Sequence, residues 1–370
     1  MAPSATTIRT RRTARTGARL ALAALALTTA LTACTSEPPE PLPDVTVTPA
    51  VDVTRAAPPE PTVPLTWPLT GVAATEIAAR PAIAVKIENT NQARPQSGLQ
   101  AADVVWETIV EFQVSRLVAV FHSNLPEEIG PVRSVRPMDI PIASPLRGPF
   151  VFSGGQPGIL QLVYNSTMQP LSHDAGVDGL YRIRSRSAPH NVYASLTTLL
   201  AQADANHSAP PTEQFAFALR PELASAVRGG TPATTLSFRL SSASSPGWTW
   251  DPTRVQWLRN EGGTPFMDAV TGAQVGATNI VSIVARHPDS GFDAQNAAPV
   301  PTYELVGEGD AVVATGGMTI PARWRKAAED QPMQLFDAAG APITLAPGNT
   351  WVELVPAEDG SLTLPDFGAS

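Results

Sequence analysis

Two short arginine clusters stand out in a chain that is otherwise acidic. Arg133 and Arg136 lie three apart after Gly130-Pro131, and Arg184 and Arg186 precede His190-Asn191. Guanidinium groups fork onto carboxylate or phosphate oxygens through paired hydrogen bonds, so such clusters point to an anionic ligand. Between them runs Ser153-Gly154-Gly155-Gln156-Pro157-Gly158. A strand–loop–helix turn of this kind aims free backbone N–H groups outward and would add to an anion site. The loop lacks the Gly-Lys-Ser/Thr ending of a nucleotide P-loop, which argues against ATP. The competing reading is internal pairing of these arginines with Glu88, Asp103, Glu107 or Asp139.

Other residues invite catalytic readings. If Asp103–Glu111 and Ser115–His122 form a hairpin with Glu111 facing Val114, then Ile109 faces Arg116, and Glu107 and Glu111 flank that arginine diagonally. Two carboxylates on one face could act as acid and base. An arginine between them would keep both ionised, however, and favours ion pairing. Ser153 stands where a strand turns into a helix, with His190 as a conceivable base, but the Gly-x-Ser-x-Gly elbow is absent. The five histidines (122, 173, 190, 207 and 287) show no metal-ligand spacing, and Cys34 is the single cysteine, so neither a metal nor a cofactor is expected. Trp248, Trp250 and Trp257 could stack on sugars if exposed, but small β domains routinely bury tryptophan.

The elements that must position these residues fall into two stretches. Residues 69–207 alternate strand-like runs (82–87, 103–111, 115–122, 150–152) with helix-like runs (159–165, 196–205), which predicts an α/β or α+β domain. A break follows at Ser208-Ala209-Pro210-Pro211-Thr212. Beyond it, residues 215–227 read as a helix. Residues 236–240, 254–259, 279–285, 303–305, 310–314, 318–324, 333–336 and 350–355 then read as short strands between Gly-rich turns. Residues 213–360 are therefore expected to form a mostly β domain.

The N-terminal region has a different character. Arg9, Arg11, Arg12, Arg15 and Arg19 precede a short apolar run from Leu20 to Ala33. A basic start, a short apolar stretch and a small residue before Cys34 describe a secretory signal over residues 1–33. Residues 34–68, rich in Pro, Thr, Ser and Glu, read as an extended linker. The Arg11-Arg12 pair hints at twin-arginine export, although the surrounding motif is incomplete. Removing the five leader arginines leaves 20 basic against 33 acidic residues, a net charge of −13. That balance argues against nucleic acid and against adhesion to anionic lipid.

Leu31-Thr32-Ala33-Cys34 resembles the bacterial lipobox, in which the cysteine takes the lipid before cleavage. Further strings resemble the YerB-like lipoprotein family, a group of unknown function. In the first stretch these are Ala84-Val85-Lys86-Ile87-Glu88-Asn89, Ala93-Arg94-Pro95-Gln96-Ser97-Gly98-Leu99, Ala102-Asp103-Val104-Val105-Trp106-Glu107, Gly130-Pro131-Val132-Arg133-Ser134-Val135-Arg136, Ser153-Gly154-Gly155 and Ser187-Ala188-Pro189-His190-Asn191-Val192-Tyr193. In the second they are Gly307-Glu308-Gly309-Asp310, Trp324-Arg325-Lys326 and Pro347-Gly348-Asn349-Thr350-Trp351. The chain departs from the family at Glu111-Phe112-Gln113, where Glu-Gly-Gly is usual, and at Arg184-Ser185-Arg186-Ser187, where paired arginines are usual. The resemblance implies fold, envelope location and a shared surface, but no reaction.

These readings combine into a lipoprotein held on the outer face of the cell membrane by lipid on Cys34. Its first domain is expected to bind an anionic wall polymer or an envelope protein without catalysis. The expected site comprises Arg133, Arg136, Arg186, His190, Asn191 and the Ser153, Gly154, Gly155 loop, with Glu107 and Arg116 nearby. The alternatives are an envelope hydrolase using Ser153 or Glu107 with His190, and an assembly factor with no small ligand. Replacing Cys34 by Ala removes the acyl-accepting thiol. Metabolic labelling with a fatty-acid analogue should mark the wild type and not Cys34→Ala, and equal labelling would refute the anchor.

Overall fold

The computed structural model describes residues 64–364. The signal, Cys34 and nearly all of the linker lie outside the described residues. Five strands come from the first stretch: β1 (Ile83–Glu88), β2 (Val104–Ile109), β3 (Ser115–Phe121), β4 (Pro149–Phe152) and β5 (Gln169–Ser172). β1, β2 and β3 are buried along their whole length. That explains their near-continuous apolar sequences, since a strand covered on both faces does not need to alternate.

The strand order crosses the boundary between the two stretches. From one edge the main sheet runs Gln334–Phe336, Met318–Lys326, Gly307–Thr315, Asn279–Ala285, Thr350–Pro356, β2, β3, β1, β4, β5. The junction is the parallel pairing of β2 with Thr350–Pro356, in the register Val104↔Thr350, Val105↔Trp351, Trp106↔Val352, Glu107↔Glu353. A smaller sheet contains Pro246–Asp251 and Gln256–Glu261. It packs Trp248 and Trp257 against the face that carries Ile83, Val85, Ile87 and Trp351. The opposite face carries Trp106, Phe150, Phe152, Ile159 and Tyr303. The fold is thus an α/β first part with few helices followed by a mostly β second part.

Several sequence expectations change. The β2–β3 hairpin forms, but its register is Ile109↔Ser115, Thr108↔Arg116 and Glu107↔Leu117, one residue from the expected pairing. Glu111–Gln113 folds as a single tight turn with Phe112 at φ 62 and ψ 21, and Val110 N–H donates to Val114 O at 2.9 Å. A one-residue slip exchanges the two faces of a strand. Glu107 and Arg116 therefore point to opposite sides of the sheet instead of sharing one. The expected helix over 215–227 is only a turn at Pro221–Leu223 and a short helix at Ser225–Gly229, since Pro221 supplies no N–H to a longer helix. Phe215 instead stacks on Trp106, ring centres 6.2 Å apart. Residues 303–305 are not a strand. Buried Tyr303 donates its hydroxyl hydrogen to Leu354 O at 3.0 Å. Pro246–Asp251 is a strand, although Gly247 and the preceding Ser244-Ser245-Pro246 have the composition of a loop.

Ser208 to Pro210 are exposed, as are Thr212 and Glu213, while Pro211 is buried. Limited proteolysis should cut there and give two bands on a denaturing gel. The nicked chain should nevertheless elute as one species from a native sizing column, because the β2 junction lies inside the main sheet. Separation of the two fragments without denaturant would contradict that continuity.

Candidate functional site

The cleft arises where a backbone segment is stitched between strand ends. Val132 N–H donates to Val192 O (2.6 Å), Arg133 N–H to Lys86 O (2.8 Å), Ser153 N–H to Arg133 O (3.0 Å) and Val135 N–H to Gly154 O (2.9 Å). These bonds bring the Arg133 segment, the end of β1, the glycine loop after β4 and the His190 loop to one place. The result is an open cleft of about 830 Å3, within the usual range for small-molecule sites.

Its floor is a charge network with every member paired. Lys86 Nζ lies 2.6 Å from Asp139 Oδ1, both side chains fully buried. Burial pushes the Lys86 ammonium down to about 8 despite that partner. Asp139 Oδ2 accepts from Arg136 N–H at 2.7 Å. Thr108 Oγ1 accepts from Lys86 at 3.2 Å and itself donates to Arg116 O at 3.2 Å. Above it, the Glu111 carboxylate is gripped by Arg136, whose Nε donates at 2.7 Å, and by Arg116 at 3.2 Å. Burial alone would raise the Glu111 pKa, but the Arg136 hydrogen bond and the two guanidinium charges outweigh it and hold it at about 2. Burial and the neighbouring Arg136 charge lower Arg116 to about 9.

The rim is less satisfied. Glu88, almost fully buried, accepts from Thr90 at 2.8 Å through Oε1, and His190 Nδ1 lies 2.8 Å from the same oxygen. Arg133 is one-quarter exposed, and its Nε is 3.8 Å from Glu88 Oε2, too far for a hydrogen bond. Both of those atoms are buried without a partner. Exposed Arg182 donates to Asn191 Oδ1 at 2.6 Å. Phe112 and the Asp293–Asn296 loop complete the lining, so both stretches of the chain build the cleft.

Of the residues expected from sequence, Arg133, Arg136, Arg116, His190, Ser153 and Gly155 line this cleft. Within it, Arg136 and Arg116 are committed to Glu111 and hold the wall in place. Gly154 is buried, and a Cβ there would meet the Asp174 carboxylate, while one at Gly155 would meet Val135. The two glycines therefore permit close packing of the loop. Asn191 lies behind the rim and holds Arg182 and the carbonyls of Ile183 and Arg186. Arg186 faces away, donating to Gln92 O (2.6 Å) and Pro95 O (2.7 Å). Glu107 is on the other face of the sheet, fully buried against Arg259 at 2.7 Å, so it cannot serve this cleft. Ser153 lines the cleft, but among the described residues its hydroxyl makes no hydrogen bond to His190. No group of three His, Cys, Asp or Glu among the described residues is placed to hold a metal ion. None of the described helices is long and apolar enough to cross a membrane.

Sequence reasoning missed Arg182, Phe112 and the Asp293–Asn296 loop. Arg182 was detectable in principle. Leu180–Arg182 pairs with Val192–Ala194, placing Arg182 opposite Val192 and beside His190-Asn191. The 293–296 loop carries no local signal at all.

Comparison with known proteins fits this geometry. Residues 69–209 match the model of a protein of unknown function (DUF3048) N-terminal domain, and residues 236–352 match the corresponding C-terminal domain. The chain belongs to the YerB-like two-domain family. A Bacillus subtilis (strain 168) relative, YerB, named as a lipoprotein, is 27% identical over 307 residues, covering 80% of this chain and 87% of that protein. The crystal structure of Bacillus subtilis YerB shares the fold with a TM-score of 0.68 at 23% identity, covering 81% of this chain and 99% of that one. The family fold thus includes both stretches that form the cleft.

Replacing Glu111 by Gln leaves Arg116 and Arg136 buried without their carboxylate, at an expected cost of about 3–5 kcal/mol. Because the Glu111 pKa is depressed to about 2 from 4.5, its stabilisation is full above pH 4.5 and fades as the pH falls toward 2. Melting curves of wild type and Glu111→Gln should therefore differ widely at neutral pH and converge between pH 4.5 and 2. A gap independent of pH would show that the ion pair is not the source.

Proposed function

We propose that the protein is a lipid-anchored lipoprotein on the extracytoplasmic face of the cell membrane, and that its cleft binds an anionic group of the envelope without catalysis. The Leu31-Thr32-Ala33-Cys34 string and the relative named as a lipoprotein support lipid on Cys34. One observation carries the binding role. Arg133 is one-quarter exposed at an open cleft, with only its buried Nε turned toward Glu88, at 3.8 Å, whereas Arg116 and Arg136 beneath it are already committed to Glu111. The exposed part of that guanidinium, at the same cleft as exposed Arg182, suits a carboxylate or phosphate, which can accept two N–H bonds at once. The anion-binding set is accordingly Arg133, Arg182 and His190. Wall polymers carrying carboxylates or phosphates, or an envelope protein presenting such a group, fit this chemistry. A net charge of −13 without the five leader arginines does not oppose it, since opposite charge within a few ångströms dominates at short range.

A second reading rests on the contact of His190 Nδ1 with buried Glu88 at 2.8 Å. A carboxylate at Nδ1 orients an imidazole and leaves Nε2 to accept a proton, as a general base requires. Such a hydrolase would act on water rather than through Ser153, whose hydroxyl makes no bond to His190.

A charge-assisted hydrogen bond contributes about 1.5–3 kcal/mol, so Arg133→Ala should weaken binding to isolated cell wall about ten- to hundredfold. The melting temperature should stay close to wild type, since Arg133 is partly exposed. Unchanged wall binding with a large melting drop would mean that Arg133 is only an internal partner of Glu88. Release of soluble wall fragments by the wild type, abolished in His190→Ala, would replace the binding reading with the hydrolase.

A further inference from the structure

Phe112 lines the cleft and is 65% exposed. Its backbone is in the left-handed region, and so is that of Gln113 (φ 61). Residues with a large side chain rarely adopt that conformation, and glycine adopts it freely. The turn is not loose. Glu111 on one side is gripped by Arg116 and Arg136, and Ser241 Oγ donates to Gln113 O at 2.5 Å on the other. An apolar ring is thus held in solvent at the cleft, on a backbone that would be more relaxed without it.

The Asp293–Asn296 loop shows the same feature, with Asn296 at φ 80 and the adjoining Ala297 at φ 54. Four of the six non-glycine residues with positive φ among those described therefore sit in or beside this one cleft. Strained backbone of this kind gathers where function over-determines it. Between the strained loops the lining is rich in hydroxyls and amides, from Thr90, Ser134, Ser153, Gln156, Gln295 and Asn296. An aliphatic ligand would desolvate those groups without replacing their hydrogen bonds. A bare inorganic anion would leave the Phe112 ring unused.

We infer that the cleft takes an acidic saccharide, with a sugar ring packed on Phe112, its hydroxyls on the hydroxyl and amide lining, and its carboxylate or phosphate on Arg133 and Arg182. This rests on the anion-binding reading above and adds the identity of the ligand's body. Phe112 is then a specificity-determining residue. A rigid ring with two rotatable bonds gives contact area at little entropic cost.

Titration calorimetry of the soluble chain from residue 35 tests this with three probes: an oligosaccharide bearing a uronate, a neutral oligosaccharide of the same length, and inorganic phosphate. The uronate oligosaccharide should bind the wild type, bind Phe112→Gly at least tenfold more weakly, and bind Phe112→Tyr about as well as wild type. Inorganic phosphate should compete, and its own affinity should be indifferent to Phe112→Gly. Phe112→Gly should melt no lower than wild type, because glycine relieves the left-handed backbone. Equal binding of the uronate oligosaccharide by wild type and Phe112→Gly would overturn the role of Phe112. If Arg133→Ala still lost binding in that case, the anion site would stand. Binding of phosphate alone would overturn the saccharide and leave the anion reading intact. Absence of binding by both acidic probes would overturn both.

Discussion

The two halves of this chain meet through a buried cation. Arg259 is fully buried, with NH2 at 2.7 Å from Glu107 and 2.9 Å from Glu261, and its guanidinium lies over the rings of Phe266 (4.0 Å) and Trp351 (5.0 Å). It is needed because the parallel pairing of β2 with Thr350–Pro356 puts Glu107 opposite Glu353 in a dry core. Two adjacent ionised carboxylates without a counter-charge could not coexist there. Burial, and the charge of Glu107, raise the Glu353 pKa well above its ordinary value. Its Oε1 accepts from Trp248 Nε1 at 2.9 Å. The Arg259 counter-charge thus lets the main sheet run uninterrupted from the first stretch into the second.

The cleft follows from that continuity. With β2 fixed by its pairings on both sides, alternation along the strand sends Glu107 to the Arg259 face and Thr108 to the other. Thr108 then meets Lys86, and the Lys86–Asp139 pair anchors the Arg136 backbone beneath Glu111. Lys86 pairs with Asp139, and Arg116 and Arg136 share Glu111, so the charges of the floor are spent on one another. The charges that remain open, on Arg133 and Arg182, stand at the rim, where solvent or a ligand can reach them. The same packing carries the Asp293–Asn296 loop to the cleft from the far end of the sequence.

Side chains with similar sequence signatures ended in different roles for reasons of geometry. Arg133 and Arg136 are three apart, yet one stands at the rim and the other grips Glu111, because the segment between them is bonded to Lys86 and Val192 on one side and to Ser153 and Gly154 on the other. Arg186 resembled both but lies where the carbonyls of Gln92 and Pro95 saturate its guanidinium. Ser153 and His190 line one cleft without touching, since Nδ1 of His190 is drawn to Glu88. Of the tryptophans, Trp248 and Trp257 are buried, as expected for a small β layer.

Short-range signals in the sequence established the strand content, the α/β-then-β progression, the β2–β3 hairpin and the family. These depend on residue type and spacing within some ten positions, where steric preference and apolar patterning act directly. The sequence also marked the Arg133, Ser153 and His190 strings, because unusual residue types cluster there. It could not fix the hairpin register, since a slip of one residue at Phe112-Gln113 depends on whether non-glycine residues accept a left-handed backbone. Only the tertiary structure decided that Glu107 leaves the cleft, that Arg136 is an internal partner and that residues 293–296 join the site. Those outcomes depend on pairing between strands about 250 residues apart, as for Glu107 and Glu353. Burial of charge and the choice of face at such distances belong to the assembled sheet, and no local pattern encodes them.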